Sequence, residues 1–334
     1  MMRGTMIQAV LYGAGDLRLE ERALDAATLA PDEVYVETEV TALSTGTDLG
    51  NYLGRSCEVP GAPDYPRPVG YSNAGVVRSV GGSVRTLTPG MRVFAMKPHM
   101  SAYVAKEAEL MVPAPREVSP EQLSLAYLTQ LGVAALRQVQ YEAGERVAVV
   151  GLGVIGLATC GIARLMGADV TAVANSTVRA EAALRVGAHR AVVVGRDELP
   201  ADMPVVILTA NPWAAYLDSV RMAGMRGRVG ILGFPGRAEP LPGFNPLAAE
   251  WFYGKQLTLV GAGHAPRTEC PPGELRFNLR RNLEFILKAM ATGALNLDSV
   301  ISHRLPAARM KEAYELAKSH DKSLMAAVFH WRVK

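Results

Sequence analysis

Arg146-Val147-Ala148-Val149-Val150 runs directly into Gly151-Leu152-Gly153-Val154-Ile155-Gly156, and this junction decides the fold. The five residues before the glycines read as a buried parallel strand. Leu157 to Met166 reads as a helix, with small residues where it must pack on a sheet. G-x-G-x-x-G alone is a weak signal, but between a strand and a helix its glycines have separate tasks. Gly151 makes the tight turn, Gly153 lets backbone approach a pyrophosphate, and Gly156 brings helix and strand together. The helix start, at Val154 and Ile155, offers free N–H groups to phosphate. Gly151, Gly153, Val154, Ile155 and Gly156 are therefore candidate dinucleotide-binding positions, the alternative being a glycine-rich turn without a ligand.

Working outward, helices and strands alternate from Pro120 onward. A helix over about 120–139 precedes strands near 146–150, 169–174, 191–195, 204–209, 228–232 and 256–260. That rhythm predicts an α/β domain with a doubly wound, six-stranded parallel sheet. Before residue 120 the chain is β-rich, with strands expected at Met6–Leu11, Asp32–Ala42, Gly75–Val80, Met91–Ala95 and Ala102–Ala105. Gly81-Gly82, Pro89-Gly90 and the prolines from Pro60 to Pro68 punctuate them. After Gly263 a helix is expected over Leu275–Gly293 and strands at Ile301–Leu305 and Met325–Trp331. The expected division is 1–122, a 123–263 nucleotide domain, and a 264–334 tail returning to the first domain.

Bulk composition narrows the class. In 334 residues, 49% apolar and 20% charged, two domains with substantial cores are expected. A net charge of +3 without a basic run argues against a nucleic-acid partner. No apolar stretch is long enough to span a bilayer, and the N-terminus lacks a signal-peptide core. Cys57, Cys160 and Cys270 show no paired spacing, which fits a reducing cytoplasm.

With the glycine motif in mid-chain, the layout resembles the medium-chain dehydrogenase/reductase superfamily over almost the whole chain. Supporting stretches are Gly46-Thr47-Asp48, Gly70-Tyr71-Ser72-Asn73-Ala74-Gly75, Pro89-Gly90-Met91-Arg92-Val93, Gly144-Glu145-Arg146-Val147, Val186-Gly187-Ala188 and Gly227-Arg228-Val229-Gly230. The resemblance implies a GroES-like catalytic domain, a Rossmann domain, an active site in the cleft and a homodimer. It also shows what this chain lacks. Zinc-dependent members carry a cysteine where Thr45 stands, and Gly-His-Glu where this chain has Gly70-Tyr71-Ser72. Their third ligand falls near 126–130, here Ala126-Tyr127-Leu128-Thr129-Gln130, and their four-cysteine lobe is replaced by Met96 to Tyr103. A catalytic zinc needs about three converging His, Cys or carboxylate ligands. A zinc-independent branch with no metal is expected.

NAD-preferring enzymes place a carboxylate about 20 residues past the glycines, on the ribose 2′-OH. Here the second strand ends at Ala174, followed by Asn175-Ser176-Thr177-Val178-Arg179. Without an acid there, and with Ser176, Thr177 and Arg179 able to donate to a 2′-phosphate, NADP(H) is favoured over NAD(H). A solvated Arg179 and a site lax toward both cofactors is the alternative. Thr209-Ala210-Asn211 and Gly233-Phe234-Pro235 follow the fourth and fifth strands, at the sheet edge where ligands bind.

Reducing a carbonyl builds charge on its oxygen, which a donor must stabilise and then protonate. Without a metal, Thr47 and Tyr71 are the expected oxyanion donors, and His99 a proton donor or shuttle near the cleft mouth. Tyr71 filling the metal's volume and His99 as an ordinary surface residue are the competing readings. Asp48 is read as structural, because relatives use it to orient its neighbours. His189, His264, His303, His320 and His330 show no ligand spacing. Tyr52, Tyr65, Trp251 and Phe277 either line an aromatic pocket or pack.

The expected function is NADP(H)-dependent interconversion of a ketone and a secondary alcohol on a small polar substrate. The Ser44-Thr45-Gly46-Thr47-Asp48 segment resembles the polyol and secondary-alcohol branch, so a sugar- or cyclitol-like biosynthetic substrate is an extension. An enoyl or quinone reductase is the first alternative. A catalytically inactive NADP(H)-binding relative is the second.

Overall fold

The computed structural model describes residues 4–55, 64–109, 111–263 and 277–331. Cys57, His264, Cys270 and the start of the helix expected from Leu275 lie outside the described residues. The chain divides into two compact units. One comprises Met1–Tyr127, Leu283–Gly293 and Ile301–Lys334, the other Leu128–Asn282 and Ala294–Val300.

The chain opens with β1 (Gly4–Leu11), β2 (Leu17–Leu24), β3 (Glu33–Ala42), α1 (Thr47–Tyr52), β4 (Arg67–Pro68), β5 (Asn73–Val80), β6 (Arg92–Ala95), β7 (Ala102–Lys106), β8 (Met111–Pro113) and α2 (Pro120–Ser124). Next come α3 (Ala126–Gln138), β9 (Arg146–Val150), α4 (Val154–Leu165), β10 (Asp169–Ala174), α5 (Thr177–Arg185), β11 (Arg190–Val193), β12 (Met203–Leu208), α6 (Trp213–Met222), β13 (Ala223–Ile231) and β14 (Thr258–Gly261). It closes with α7 (Leu279–Ala291), β15 (Ile301–Pro306), α8 (Met310–Lys318) and β16 (Ala326–His330).

In the first unit β2-β1-β4 form one sheet and β15-β16-β3-β5-β6-β8 another, with β7 also paired to β3. Val34, Val36, Thr38 and Val40 alternate into the interior along β3, the period of a strand with one buried face. Leu11, Leu43, Tyr52, Tyr314 and Phe329 form a core beneath α1 and α8.

The second unit is built differently. Its six parallel strands run in the order β11-β10-β9-β12-β13-β14, reversing direction of travel between β9 and β12. Val147 to Val150 are all buried, because a parallel sheet covered on both faces has no solvent side. The doubly wound, six-stranded sheet is therefore present, with a β-rich unit beside it in the sequence.

Two details differ from the sequence reading. The exposed, charged strand β2 has no apolar alternation and was not expected. Among the described residues past Gly263, Asn282 still groups with the second unit. Asn282 accepts from Arg137 and donates to Gln130 Oε1 at 3.4 Å, holding the start of α7 in that unit. A Leu295 methyl lies 2.9 Å from the Cβ position of Gly161 on α4, which keeps 294–300 there too. Among the described residues no helix is long and apolar enough to cross a membrane.

Candidate functional site

The glycine turn leaves β9 with Gly151 at φ +88°, a left-handed conformation that other residues adopt at a cost. A Cβ on Gly156 would sit 1.8 Å from the Gly151 carbonyl oxygen, so helix and turn touch through bare backbone. Thr209 donates to that same oxygen at 2.6 Å and fixes the turn from β12. Gly153 caps α4 in an extended conformation and makes no side-chain cap bond, leaving the first helical N–H groups for an anion. Val154 is buried and Ile155 half-buried, so both would act through backbone. The residues present fit a dinucleotide pyrophosphate.

The neighbouring turns are tied together. Ala210 packs against Gly151, whose added Cβ would lie 2.6 Å from the Ala210 Cβ. Asn211 Oδ1 accepts from the Phe234 N–H at 2.9 Å, and its carbonyl accepts from Gly236 at 2.7 Å. Gly233 and Pro235 are half-buried and Phe234 exposed, so the two turns present one joined edge.

Beyond β10, Asn175 is exposed, and Ser176 caps α5 with a buried hydroxyl that makes no hydrogen bond. Arg179 is not a solvated helix residue. It is half-buried and donates to the Leu152 carbonyl, inside the glycine turn, at 2.8 Å. A residue that the sequence reading missed joins them. Arg196, just past β11, donates to Thr177 Oγ1 at 3.3 Å. It is also held by Asp197 through contacts of 3.0 and 2.9 Å. Parallel pairing of β10 and β11 brings Arg196 to Thr177, 19 positions away in the chain.

The first unit gathers the oxygen donors. The Tyr71 phenol donates to Ser44 Oγ at 2.6 Å, and Thr47 also hydrogen-bonds the phenol. Tyr71 and Thr47 are half-buried, whereas Ser44 is buried. Burial holds the phenol well above the ordinary tyrosine range, with the Asp48 charge adding to it, so Tyr71 stays protonated. Tyr127 meets the Tyr71 ring edge-on at 5.4 Å and stacks on Phe94 at 6.5 Å. Ser72 turns away and donates to the Ser124 carbonyl at 2.5 Å. Ser44 was missed as a donor, although it lies in the segment already singled out.

His99 is corrected. It was expected at a loop mouth and is instead wholly buried, with Nδ1 2.8 Å from Thr41 Oγ1 and its ring against Phe329. Burial pushes its pKa down to about 3, so it is a neutral imidazole at neutral pH and supplies no imidazolium to act as a general acid. The room for that ring comes from Gly70 at φ +90°, where a Cβ would lie 2.6 Å from the imidazole. Asp48 is buried too, and burial raises its pKa to about 7 despite N–H bonds from Ser44 and Gly70.

Each of the four aromatics named above has a partner within its own unit. Tyr52 is buried and bonds Glu315, Tyr65 donates to the Asn51 carbonyl at 2.7 Å, Trp251 donates to the Pro246 carbonyl at 3.0 Å, and Phe277 stacks under Arg137 at 3.5 Å.

No family model matches the chain. It is similar to sorbitol dehydrogenase of Bombyx mori, 25% identical over 357 residues, covering 93% of this chain and 95% of that one. Among solved structures it is similar to galactitol-1-phosphate dehydrogenase from Escherichia coli, with TM-score 0.80, 18% identity and coverage of 97% and 99%. The fold is that of the medium-chain dehydrogenases. It is also similar to a zinc-binding-type dehydrogenase from Sinorhizobium meliloti 1021 bound to NADP, with TM-score 0.77, 21% identity and coverage of 98% and 100%.

Proposed function

We propose that this chain is an oxidoreductase that interconverts a ketone and a secondary alcohol on a small polar, polyol-like substrate, using NADP(H) and no bound zinc. The observation that carries the reading is the Tyr71–Ser44 hydroxyl pair at 2.6 Å, flanked by Thr47. The dinucleotide, when bound, supplies or accepts the hydride. The chain's own part is to hold the pyrophosphate on the Gly151–Gly156 turn and to stabilise charge on the substrate oxygen. Ser44 accepts from Tyr71, so its own O–H is left to donate, and Tyr71 and Thr47 stand beside it. Such prepositioned donors act where charge develops, which is where they lower a barrier.

Zinc does not fit the residues present. Among the described residues no three His, Cys, Asp or Glu side chains gather as a metal would require. At the positions where zinc-dependent relatives carry ligands, this chain presents Thr45, Tyr71 and Ser72. Asp48 already accepts two backbone N–H groups, and His99 Nδ1 is engaged with Thr41.

NADP(H) rather than NAD(H) is supported by the absence of a carboxylate after β10 and by Ser176, Thr177, Arg179 and Arg196 around that point. The similarity to sorbitol and galactitol-1-phosphate dehydrogenases supports the polyol class. A homodimer completes the reading.

Following loss of reduced-nicotinamide absorbance tests it, with acetoin, saturated ketones and 2-cyclohexenone offered separately. Turnover of the hydroxyketone with NADPH, unaffected by EDTA and without stoichiometric metal in the protein, is the expected outcome. Turnover only of the conjugated compound would make the chain an enoyl reductase. Tight NADPH binding without turnover would make it an inactive relative, and activity lost to chelation and restored by zinc would overturn the metal-free mechanism.

A further inference from the structure

Asp48 holds two separate pieces of backbone at once. Its Oδ2 accepts from the Ser44 N–H at 2.9 Å, and its Oδ1 accepts from the Gly70 N–H at 3.2 Å. Those two residues lie on the segments that carry the hydroxyl pair, since Tyr71 follows Gly70 directly. Ser44 and Gly70 lie 26 positions apart in the chain, and one buried carboxyl group spans them.

Behind the carboxyl runs a polar chain through the core. The Trp331 indole N–H donates to Thr41 Oγ1 at 3.0 Å, and Thr41 Oγ1 lies 2.8 Å from His99 Nδ1. His99 Nε2 is buried without a hydrogen bond and lies 3.9 Å from Asp48 Oδ2. An indole can only donate, so Trp331 occupies one lone pair of Thr41, whose proton can go to His99 Nδ1. In that arrangement the ring's own proton sits on Nε2, facing the carboxyl group.

We propose that Asp48, backed by the Trp331–Thr41–His99 chain, is a positioning residue that clamps the Ser44 and Gly70 N–H groups and so keeps the Ser44 and Tyr71 hydroxyls in register. The clamp stands on geometry alone; its catalytic consequence rests on the hydride-transfer reading above. Asparagine at 48 has one acceptor oxygen in place of two, so it can keep only one of the two N–H bonds.

The test is deuterium uptake by the full chain, read at the Ser44 and Gly70 amides. Asp48→Asn is expected to raise exchange at one or both by about tenfold, while β9 is unchanged. Trp331→Phe, which keeps an aromatic ring and removes the N–H, gives a smaller rise at the same two amides. Acetoin reduction then shows kcat lowered with the KM for NADPH unaltered, and no further loss when Asp48→Asn is added to Tyr71→Phe. Wild-type exchange at both amides in a folded Asp48→Asn protein, or a rise spread evenly over the chain, overturns the clamp. If Asp48→Asn does not fold, Trp331→Phe and Thr41→Val decide it: no rise at either amide overturns it. Amides that respond in a chain without any turnover leave the clamp standing and remove the dehydrogenase reading.

Discussion

Arg179 reaches back from α5 to the Leu152 carbonyl at 2.8 Å, tying the helix that follows the second parallel strand to the glycine turn that follows the first. One guanidinium thus braces the glycine turn and, on the NADP(H) reading proposed above, would stand by a ribose 2′-phosphate. Arg196 has no such bracing contact with the turn. Arg196→Ala is therefore expected to weaken NADPH by about tenfold or more and NADH hardly at all, whereas Arg179→Ala weakens NADPH strongly and NADH measurably. Calorimetric titration with both cofactors checks this. Equal loss for both cofactors in Arg196→Ala would remove the argument for 2′-phosphate recognition.

Gly156→Ala places a methyl 1.8 Å from the Gly151 carbonyl oxygen, which is backbone and cannot step aside. The expected result is a destabilisation of a few kcal/mol with loss of dinucleotide binding. Thermal melts with and without NADPH read it: the wild type rises on adding cofactor, and the variant does not.

Removing the Tyr71 hydroxyl as Tyr71→Phe keeps the ring packed on Tyr127 and deletes one oxygen donor. Turnover is expected to fall by roughly ten- to a thousandfold with NADPH affinity unchanged. Ser44→Ala has the same direction of effect, and the two losses fall short of additive because the hydroxyls act as a pair. Steady-state kinetics on both variants check this, and an unchanged rate in Tyr71→Phe reduces the residue to packing.

Asp48 makes stability depend on pH. Its folded-state pKa of about 7 lies above its ordinary value of 3.8, because burial disfavours the charged form. Between those values the native state holds a proton that the unfolded chain has released. Stability from this group is thus complete below the ordinary value and is lost as pH rises toward 7, by up to about 1.4 kcal/mol per pH unit. Urea melts at several pH values across that window measure the slope, and Asp48→Asn flattens it. A wild-type slope of opposite sign, restored to zero by the same substitution, would contradict the assignment.

The glycine turn and the six parallel strands were legible because their signals are local: a continuous apolar run, a fixed glycine spacing, a change of period. The doubly wound order followed from the alternation of elements. Strand β2, Leu-Arg-Leu-Glu-Glu-Arg-Ala-Leu, escaped because its outward side chains carry charge and its pairing with β1 is a matter of backbone. The candidate site was legible at Thr47 and Tyr71, the two hydroxyl-bearing residues that the fold brings together. It was not legible where partners come from distant segments. Arg196 meets Thr177 only because β10 and β11 pair in parallel, and Ser44 meets Tyr71 only once both segments are folded. His99 misled because a short polar loop reads as surface, and nothing local shows that Gly70 leaves a space for its ring.

Gly70 and His99 also constrain how this scaffold can change. The imidazole occupies the volume that a side chain at 70 would need, and the backbone there is already left-handed. Enlarging position 70 alone forces the ring onto Phe329, while shrinking position 99 alone opens a void beside Asp48. Diversification aimed at a wider substrate range must treat these two positions as one mutational unit, altered together or left alone.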